Sequence, residues 1–216
     1  MRTMAMTALI AFTIVTIGLP VAAEAAPTKE SLTEQCRKHT ETFEYPEAIE
    51  TCGKAISLDA KYVDAYFWRG IALVATRQYD KALADFTQVI TLSPNDVQAL
   101  SNRGLVYRRL KQYDLALQDL NRAIEIDPGY APGWLSRGTV FAQLDQWSDA
   151  ILDYSRGIEL DPKNYTAYHN RGIAFEQTGQ ITEALGDFRT FLKLAPPNDL
   201  LRPSVEQRIK TLEEKQ

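Results

Sequence analysis

Apolar and small residues recur along this chain at the spacing of helix faces. Within residues 97–130, Leu100, Gly104 and Tyr107 fall at i, i+4 and i+7, which is one face of a helix. A second helix face follows, with the members Ala116, Leu117, Leu120, Ala123 and Ile124. An Asp-Pro-Gly segment comes next and ends the pattern, because proline cannot continue a helix. The pattern predicts two helices joined by a tight turn.

This two-helix pattern returns at a fixed interval of 34 residues. Arg-Gly pairs, alanines and prolines all recur at that interval along the chain. A period of this length indicates stacked helix pairs, each of which packs against its neighbours. The sequence therefore predicts an all-α solenoid over residues 26–198, with helix pairs in residues 29–62, 63–96, 97–130, 131–164 and 165–198.

The C-terminal segment, residues 199–216, lacks the repeat pattern but has one apolar helix face. Val205, Ile209 and Leu212 lie on that face, and charged residues surround it. Solenoids need a terminal element with a polar outer side. We expect a capping helix that packs on the last repeat.

Contacts inside each repeat can be predicted from residue numbers. When two helices pack antiparallel, the numbers of two facing residues add up to nearly the same total along the whole pair. This register places Gly104 opposite Leu120, so that a small residue faces a large one. Four arginines each have an aspartate 16 residues further on, close to the same register. We interpret them as ion pairs between the two helices of a repeat: Arg69–Asp85, Arg103–Asp119, Arg137–Asp153 and Arg171–Asp187. A basic ladder for an anionic partner is disfavoured, since each aspartate neutralises its arginine.

The unit resembles the tetratricopeptide repeat, whose pattern is an aromatic residue or Leu, then Gly, Tyr, Ala, an aromatic residue, Ala and Pro. In residues 97–130 these places hold Leu100, Gly104, Tyr107, Ala116, Leu120, Ala123 and Pro128. The Leu that usually precedes the Gly is Arg in four units. The resemblance covers residues 29–198. It implies a right-handed superhelix with the first helix of each pair on the concave side.

The resemblance also implies a function, because such proteins bind a partner protein or peptide in the concave groove. Carried onto this chain, the groove is largely apolar with a few polar points. The predicted partner-binding residues are Phe67, Ile71, Asn102, Leu105, Arg108, Leu135, His169, Asn170 and Ile173. Two alternatives stay open. The aliphatic members could pack against the neighbouring repeat, and the array could be a structural spacer or envelope assembly subunit that uses its convex face or its ends.

Charge and composition exclude several other functions. A formal net charge of -4 gives no general attraction to nucleic acid. No Ser or Cys nucleophile can be placed with a base and an orienting acid, and the glycines lie in predicted helices rather than in a phosphate-binding loop. We expect a chain that is not an enzyme and holds no cofactor or metal. His39 occupies the repeat position of Tyr107, so we expect it to pack inside.

Residues 1–25 differ from the repeats and have the pattern of a secretory signal peptide. Arg2 precedes an apolar run in residues 5–19, and Ala23 and Ala25 fit the small-residue pattern of a cleavage site. The run is shorter than the roughly 20 apolar residues of a membrane span, which disfavours an uncleaved anchor. We expect cleavage after Ala25, a periplasmic or secreted location, and no membrane association once the chain is processed.

The chain has two cysteines, and both lie in the degenerate first repeat. Cys36 and Cys52 stand two repeat lengths before Gly104 and Leu120, so the contact register brings them together. In an exported protein this pair is expected to form a disulfide. Two reduced core thiols are one alternative. A metal site with His39 is another, although it lacks an evident fourth ligand.

Overall fold

The computed structural model describes residues 26–214, and the regular secondary structure in that range is entirely helical. The predicted all-α solenoid of five helix pairs with a C-terminal capping helix is confirmed. The predicted signal peptide, residues 1–25, lies outside the described residues. The helices of the described range are α1 (Lys29–Glu41), α2 (Tyr45–Leu58), α3 (Val63–Ala75), α4 (Tyr79–Leu92), α5 (Val97–Arg109), α6 (Tyr113–Ile126), α7 (Ala131–Gln143), α8 (Trp147–Leu160), α9 (Tyr165–Gln177), α10 (Ile181–Leu194) and α11 (Arg202–Glu213).

The helices pack in chain order as five pairs, from α1 with α2 to α9 with α10. In each pair the first helix has 13 residues and the second has 14. The second helix of a pair also contacts the first helix of the next pair, and successive first helices contact one another. Each repeat therefore shares its apolar core with its neighbours, as expected of a solenoid.

Glycines in the first helices allow the two helices of a pair to approach closely. A Cβ atom added at Gly104 would lie 2.9 Å from Leu120 Cγ. One added at Gly70 would lie 2.8 Å from Phe86 Cε1. Neither position has room for a side chain without movement of the facing residue. The predicted register, with Gly104 opposite Leu120, is confirmed.

A residue with a left-handed backbone conformation makes the turn between the two helices of every repeat. In the third repeat this residue is Lys111, with φ of 59°. The N–H of the next residue, Gln112, donates to the carbonyl oxygen of Tyr107 at 2.9 Å. This arrangement is a Schellman motif, which ends the first helix and reverses the chain. The equivalent residues of the other repeats are Phe43, Arg77, Asp145 and Gly179.

A disulfide occupies the place of the glycine contact in the first repeat. Cys36 of α1 and Cys52 of α2 are bonded, their Cα atoms lie 5.4 Å apart, and both side chains are fully buried. Leu32, Ala48 and Ala55 belong to the same apolar cluster. The pairing that the contact register predicts is therefore present in the structure, and it joins the two helices of the terminal repeat.

The expected burial of His39 is wrong. Its side chain is about one-third exposed, and its Nδ1 atom lies 2.6 Å from Glu44 Oε2. Glu44 directly precedes α2, so the turn itself supplies a polar partner for the imidazole. A polar ring loses less hydration at this surface position than it would inside the core.

The last helix, α11, covers the open end of the fifth repeat. Val205 and Leu212 are buried in the same apolar cluster as Phe188 of α10. An ion pair between Arg208 of α11 and Glu176 of α9 adds a polar contact at this end. The predicted capping helix is therefore present and packs on the last repeat.

Candidate partner-binding groove

The nine predicted partner-binding residues lie on the first helices α3, α5, α7 and α9, and all nine are partly exposed. They stand at recurring positions of these helices, so they form one surface along the array, here called the groove. The structure brings four of them, Arg108, Leu135, Asn170 and Ile173, to two adjacent cavities. The other five lie outside these cavities.

Two of the predicted residues are also packed inside their own repeats. Leu135 of α7 fills the space beside Gly157 of α8, where an added Cβ atom would lie 2.2 Å from Leu135 Cδ2. The ring of His169 lies against Phe191, with their centroids 5.4 Å apart. These contacts lie within one repeat, so they differ from the alternative in which aliphatic groove residues pack against the neighbouring repeat. Both side chains are also partly exposed to solvent.

The remaining predicted residues extend the groove surface but line neither cavity. Phe67 and Ile71 pack partly in the cluster that contains Phe86. Asn102 donates its side-chain amide to a backbone carbonyl of its own helix at 2.9 Å. Leu105 is partly exposed in the middle of α5. These four residues offer contact area at the N-terminal side of the cavities.

The first cavity, here called the Arg108 cavity, has a volume of about 240 Å³ and lies between α5, α7 and α9. These helices come from three successive repeats, so the cavity exists only in the stacked array. Its walls combine apolar carbons with hydroxyl, amide and guanidinium groups. The lining residues are Arg108, Pro132, Leu135, Ser136, Thr139, Asn164, Thr166, Ala167 and Asn170.

The second cavity, here called the Trp147 cavity, has a volume of about 260 Å³ and adjoins the first. The two cavities share Thr139 and Asn170. The hydroxyl of Tyr154 donates to Thr139 Oγ1 at 3.3 Å, and burial raises the pKa of Tyr154, so this hydroxyl stays protonated. The lining residues are Thr139, Ala142, Gln143, Trp147, Tyr154, Asn170 and Ile173.

Arg108 is the only charged residue in the lining of these two cavities, as far as residues 26–214 show. Burial lowers the pKa of its guanidinium, and the positive charge of Arg109 lowers it further. The side chain stays charged at neutral pH because the pKa of a guanidinium lies far above neutrality. The groove therefore has one positive charge set among neutral walls.

The four predicted Arg–Asp ion pairs are confirmed. In the third repeat, Arg103 Nε and Nη2 donate to the two carboxylate oxygens of Asp119 at 2.7 and 2.8 Å. The remaining nitrogen, Nη1, donates to Thr87 Oγ1 of the preceding repeat at 3.1 Å. Arg137 and Arg171 likewise bond back to Asn121 and Ser155. These arginines are engaged within the array, which argues against a basic ladder for an anionic partner.

Sequence reasoning missed two features of the cavities. Ser136 stands at the same repeat position as Asn102 and Asn170, so the 34-residue period could have identified it. The spacing of Tyr154 predicts a core position, and that is correct for its ring. Its hydroxyl, however, reaches Thr139 at the wall shared by both cavities. The contact depends on how α7 and α8 are rotated, and the helix period does not give that rotation.

Within residues 26–214, no three His, Cys, Asp or Glu side chains are grouped closely enough to hold a metal ion. None of the helices in this part of the chain has the length and apolar character needed to cross a bilayer. The two cavities of the groove combine apolar surface, hydrogen-bonding groups and one positive charge.

Family comparison gives the class of this protein. Tetratricopeptide repeat models match residues 44–95, 69–131 and 165–198, and a TPR repeat model matches residues 138–179. Together these matches cover more than half of the chain. The chain belongs to the tetratricopeptide repeat family. Proteins of this family are protein–protein interaction modules and are generally scaffolds rather than enzymes.

Solved structures share this fold at low sequence identity. A crystal structure of MamA aligns with a TM-score of 0.64 at 22% identity, covering 73% of this chain and 92% of that one. MamA from Desulfovibrio magneticus RS-1 aligns with a TM-score of 0.67 at 21% identity, covering 78% and 96%. YrrB, a TPR protein with an unusual peptide-binding site, aligns with a TM-score of 0.61 at 21% identity, covering 82% and 91%. A comparison with curated protein sequences gave no match.

Proposed function

We propose that the groove binds an extended or helical peptide segment of a partner protein. The observation that carries this proposal is the pair of adjacent cavities between α5, α7, α8 and α9. Leu135 and Ile173 give apolar walls, while Arg108 and Asn170 give hydrogen-bond donors. Peptide-binding grooves combine apolar pockets with a few polar groups in this way. The peptide-binding site named for YrrB supports such a use of the fold.

A second candidate function is that of a spacer or assembly subunit that acts through its outer surface or its ends. The observation that favours it is the exposure of large apolar residues on the second helices. Leu152 of α8 is 69% exposed and Leu58 of α2 is 59% exposed. Leu58 lies in the first repeat and Leu152 in the fourth, so each would be a separate apolar contact point for an assembly partner.

One experiment separates the two candidates. The purified protein is immobilised, and bound proteins are captured from a periplasmic extract of the organism. Thr139→Trp places a bulky neutral side chain where the two cavities meet, and Leu152→Trp makes a matched neutral change on the outer surface. Circular dichroism melting checks that both variants stay folded.

The groove proposal expects a partner that the wild-type protein and Leu152→Trp retain and that Thr139→Trp loses. The opposite pattern, with the partner lost only in Leu152→Trp, contradicts groove binding and supports the spacer role. The identity of the captured partner would then follow from mass spectrometry.

We also propose that the chain is exported and acts in the periplasm or outside the cell. The composition of residues 1–25 and the cysteine pair in the first repeat support this proposal. N-terminal sequencing of native material tests it, and the expected first residue is Ala26. Intact Met1 in the membrane fraction would contradict cleavage and indicate a retained anchor.

A further inference from the structure

A further cavity, here called the Arg69 cavity, lies in the second repeat. It has a volume of about 320 Å³ and lies between α2, α3 and α4. It shares no lining residue with the Arg108 cavity or the Trp147 cavity, so it is a separate site. Lys81 and Ala84 of its lining are exposed, so the cavity opens to the surface. The lining residues are Ile49, Arg69, Leu73, Lys81, Ala84 and Asp85.

The 34-residue period shows which residue replaces Leu73 in the later repeats. Leu73 occupies the repeat position of Tyr107, Phe141 and Phe175, so the third, fourth and fifth repeats have an aromatic ring there. In each of them this ring lies against the guanidinium of the arginine that pairs with aspartate, an arrangement in which cation and ring attract each other. The distances from Cζ to the ring centroid are 5.8 Å for Arg103 and Tyr107, 5.7 Å for Arg137 and Phe141, and 5.5 Å for Arg171 and Phe175.

Arg69 lacks this contact, because Leu73 has no ring. Its side chain is 25% exposed, whereas the side chains of its three counterparts are 17 to 19% exposed. Its Nη1 nitrogen has no acceptor within residues 26–214, because Gly53 stands where later repeats have a hydroxyl or amide acceptor. The guanidinium of Arg69 is therefore the least enclosed of the four.

Arg69 keeps one ring contact, and a second ring is compatible with it. The ring of Tyr66 lies 5.6 Å from Arg69 Cζ. In the fourth repeat Arg137 contacts the equivalent ring of Trp134 and also the ring of Phe141. The fifth repeat has the same arrangement of two rings around one guanidinium. The second repeat has only the first of these rings.

The other groups of the Arg69 cavity suit an apolar ligand. Both carboxylate oxygens of Asp85 accept from Arg69 at 2.7 Å. Lys81 is exposed to solvent, and its ammonium donates to Gln78 Oε1 at 2.9 Å. The remaining lining residues are aliphatic. A ligand in this cavity therefore meets aliphatic side chains and a guanidinium that has room for a second ring.

We propose that the Arg69 cavity binds an aromatic side chain of a partner protein, in the place that Tyr107, Phe141 and Phe175 hold in the later repeats. A planar guanidinium stacks on aromatic faces, and aromatic side chains in pockets are common anchors of protein interfaces. The volume lies at the lower end of the roughly 300–1,000 Å³ of ligand pockets, which suits a single ring. Because the cavity opens to the surface, the ring can enter while it is attached to another chain. This inference does not depend on the groove.

The test compares two probes by NMR titration of the ¹⁵N-labelled protein. N-acetylphenylalaninamide presents an aromatic ring, and N-acetylcyclohexylalaninamide has a similar shape without a π face. The signals followed are Arg69 Nε–Hε and the backbone amides of Leu73 and Ala84. Leu73→Phe places a ring of the chain itself in the cavity, and Leu152→Phe adds a ring at an exposed position of α8 as the matched control.

The aromatic probe should shift these signals saturably in the wild-type protein. The cyclohexyl probe should bind about five-fold more weakly, because it lacks the attraction between ring and guanidinium. Leu73→Phe should lose the response to the aromatic probe, while Leu152→Phe should titrate like the wild-type protein. The comparison of the two probes on the wild-type protein does not depend on the folding of any variant.

Three outcomes would overturn the inference. Equal affinity for the two probes would show that the cavity is an apolar recess without preference for an aromatic face. Shifts confined to signals outside the cavity, or shifts that do not saturate, would show that no ring enters it. An unchanged response in folded Leu73→Phe would show that the probe does not occupy the place of the aromatic rings in the later repeats.

Discussion

At the scale of single residues, the turn between the two helices of a repeat makes an unusual demand on the backbone. Each turn requires one residue with positive φ, and only the fifth repeat has glycine there, at Gly179. A residue with a side chain pays about 1–2 kcal/mol for this left-handed conformation. The four non-glycine turns therefore contain local strain that the packing of the helices outweighs.

Replacement of Lys111 by glycine should relieve this strain. We expect Lys111→Gly to raise the free energy of unfolding by about 1 kcal/mol, because the relieved strain exceeds the added flexibility of the unfolded chain. Lys54→Gly, a change inside α2, is the control and should lower stability by about 1 kcal/mol. Urea midpoints for both variants decide the matter. A lower midpoint for Lys111→Gly would show that the turn is not strained.

The Arg–Asp pairs give a second residue-scale prediction. Asp119 is buried, so loss of its arginine leaves a carboxylate with neither water nor a counter-charge. We expect Arg103→Met to destabilise the array by about 3 kcal/mol. The double variant Arg103→Met/Asp119→Asn removes the uncompensated charge and should recover part of that loss. Chemical denaturation measures both, and a double variant as unstable as the single one would contradict this account.

These pairs also show how far the sequence could predict side-chain contacts. The 16-residue spacing and the helix register predict the bond from Arg103 to Asp119, because both residues belong to one helix pair. The bond from Arg103 to Thr87 crosses between repeats. Its geometry depends on the angle at which one repeat stacks on the next, and the period of the sequence does not specify that angle. The two cavities could not be predicted for the same reason.

At the scale of helices, α11 replaces the next repeat at the C-terminal end. Its apolar face could be predicted from Val205, Ile209 and Leu212, because the spacing of apolar residues along a single helix shows which residues share a face. The polar contacts of Arg208 with Glu176 and of Arg189 with Glu213 were not predictable, since they cross to α9 and α10. They fix how α11 lies on the fifth repeat.

Removal of the apolar contact of α11 should expose the end of the array. Val205 is almost completely buried, so Val205→Asp loses apolar burial worth about 2 kcal/mol and places a charge in the core. We expect α11 to lose hydrogen-exchange protection while α5 and α6 keep theirs. Gln207→Asp, an exposed change in the same helix, is the control. Equal protection of α11 in both variants would mean that it does not depend on this contact.

At the scale of the whole molecule, stability depends on contacts between neighbouring repeats, so the terminal repeats have the least support. At the C-terminal end, α11 packs on the last repeat and supplies that support. At the N-terminal end, α1 contacts α2 and α3 and has no earlier helix beside it within the described residues. The hydroxyl of Thr33 is also buried there without a hydrogen-bond partner in residues 26–214. The Cys36–Cys52 disulfide stabilises this end in place of a neighbouring repeat.

Reduction of this disulfide should open the first repeat before any other. The bond joins residues 16 apart, and closing a loop of this size limits the unfolded ensemble by roughly 3 kcal/mol in the loop-entropy model. Hydrogen exchange in α1 and α2 should therefore accelerate by roughly 100-fold on reduction, while α5 and α6 keep their rates.

Mass spectrometry of exchange in oxidised and reduced protein measures this effect, and the double variant Cys36→Ala/Cys52→Ala should match the reduced form. Thiol counting on unfolded, unreduced protein comes first and should find no free thiol. Two free thiols in material from an oxidising compartment would refute the bond. Exchange that accelerates equally in all repeats would show instead that the array opens as one cooperative unit, and that the disulfide stabilises the whole solenoid rather than its N-terminal end.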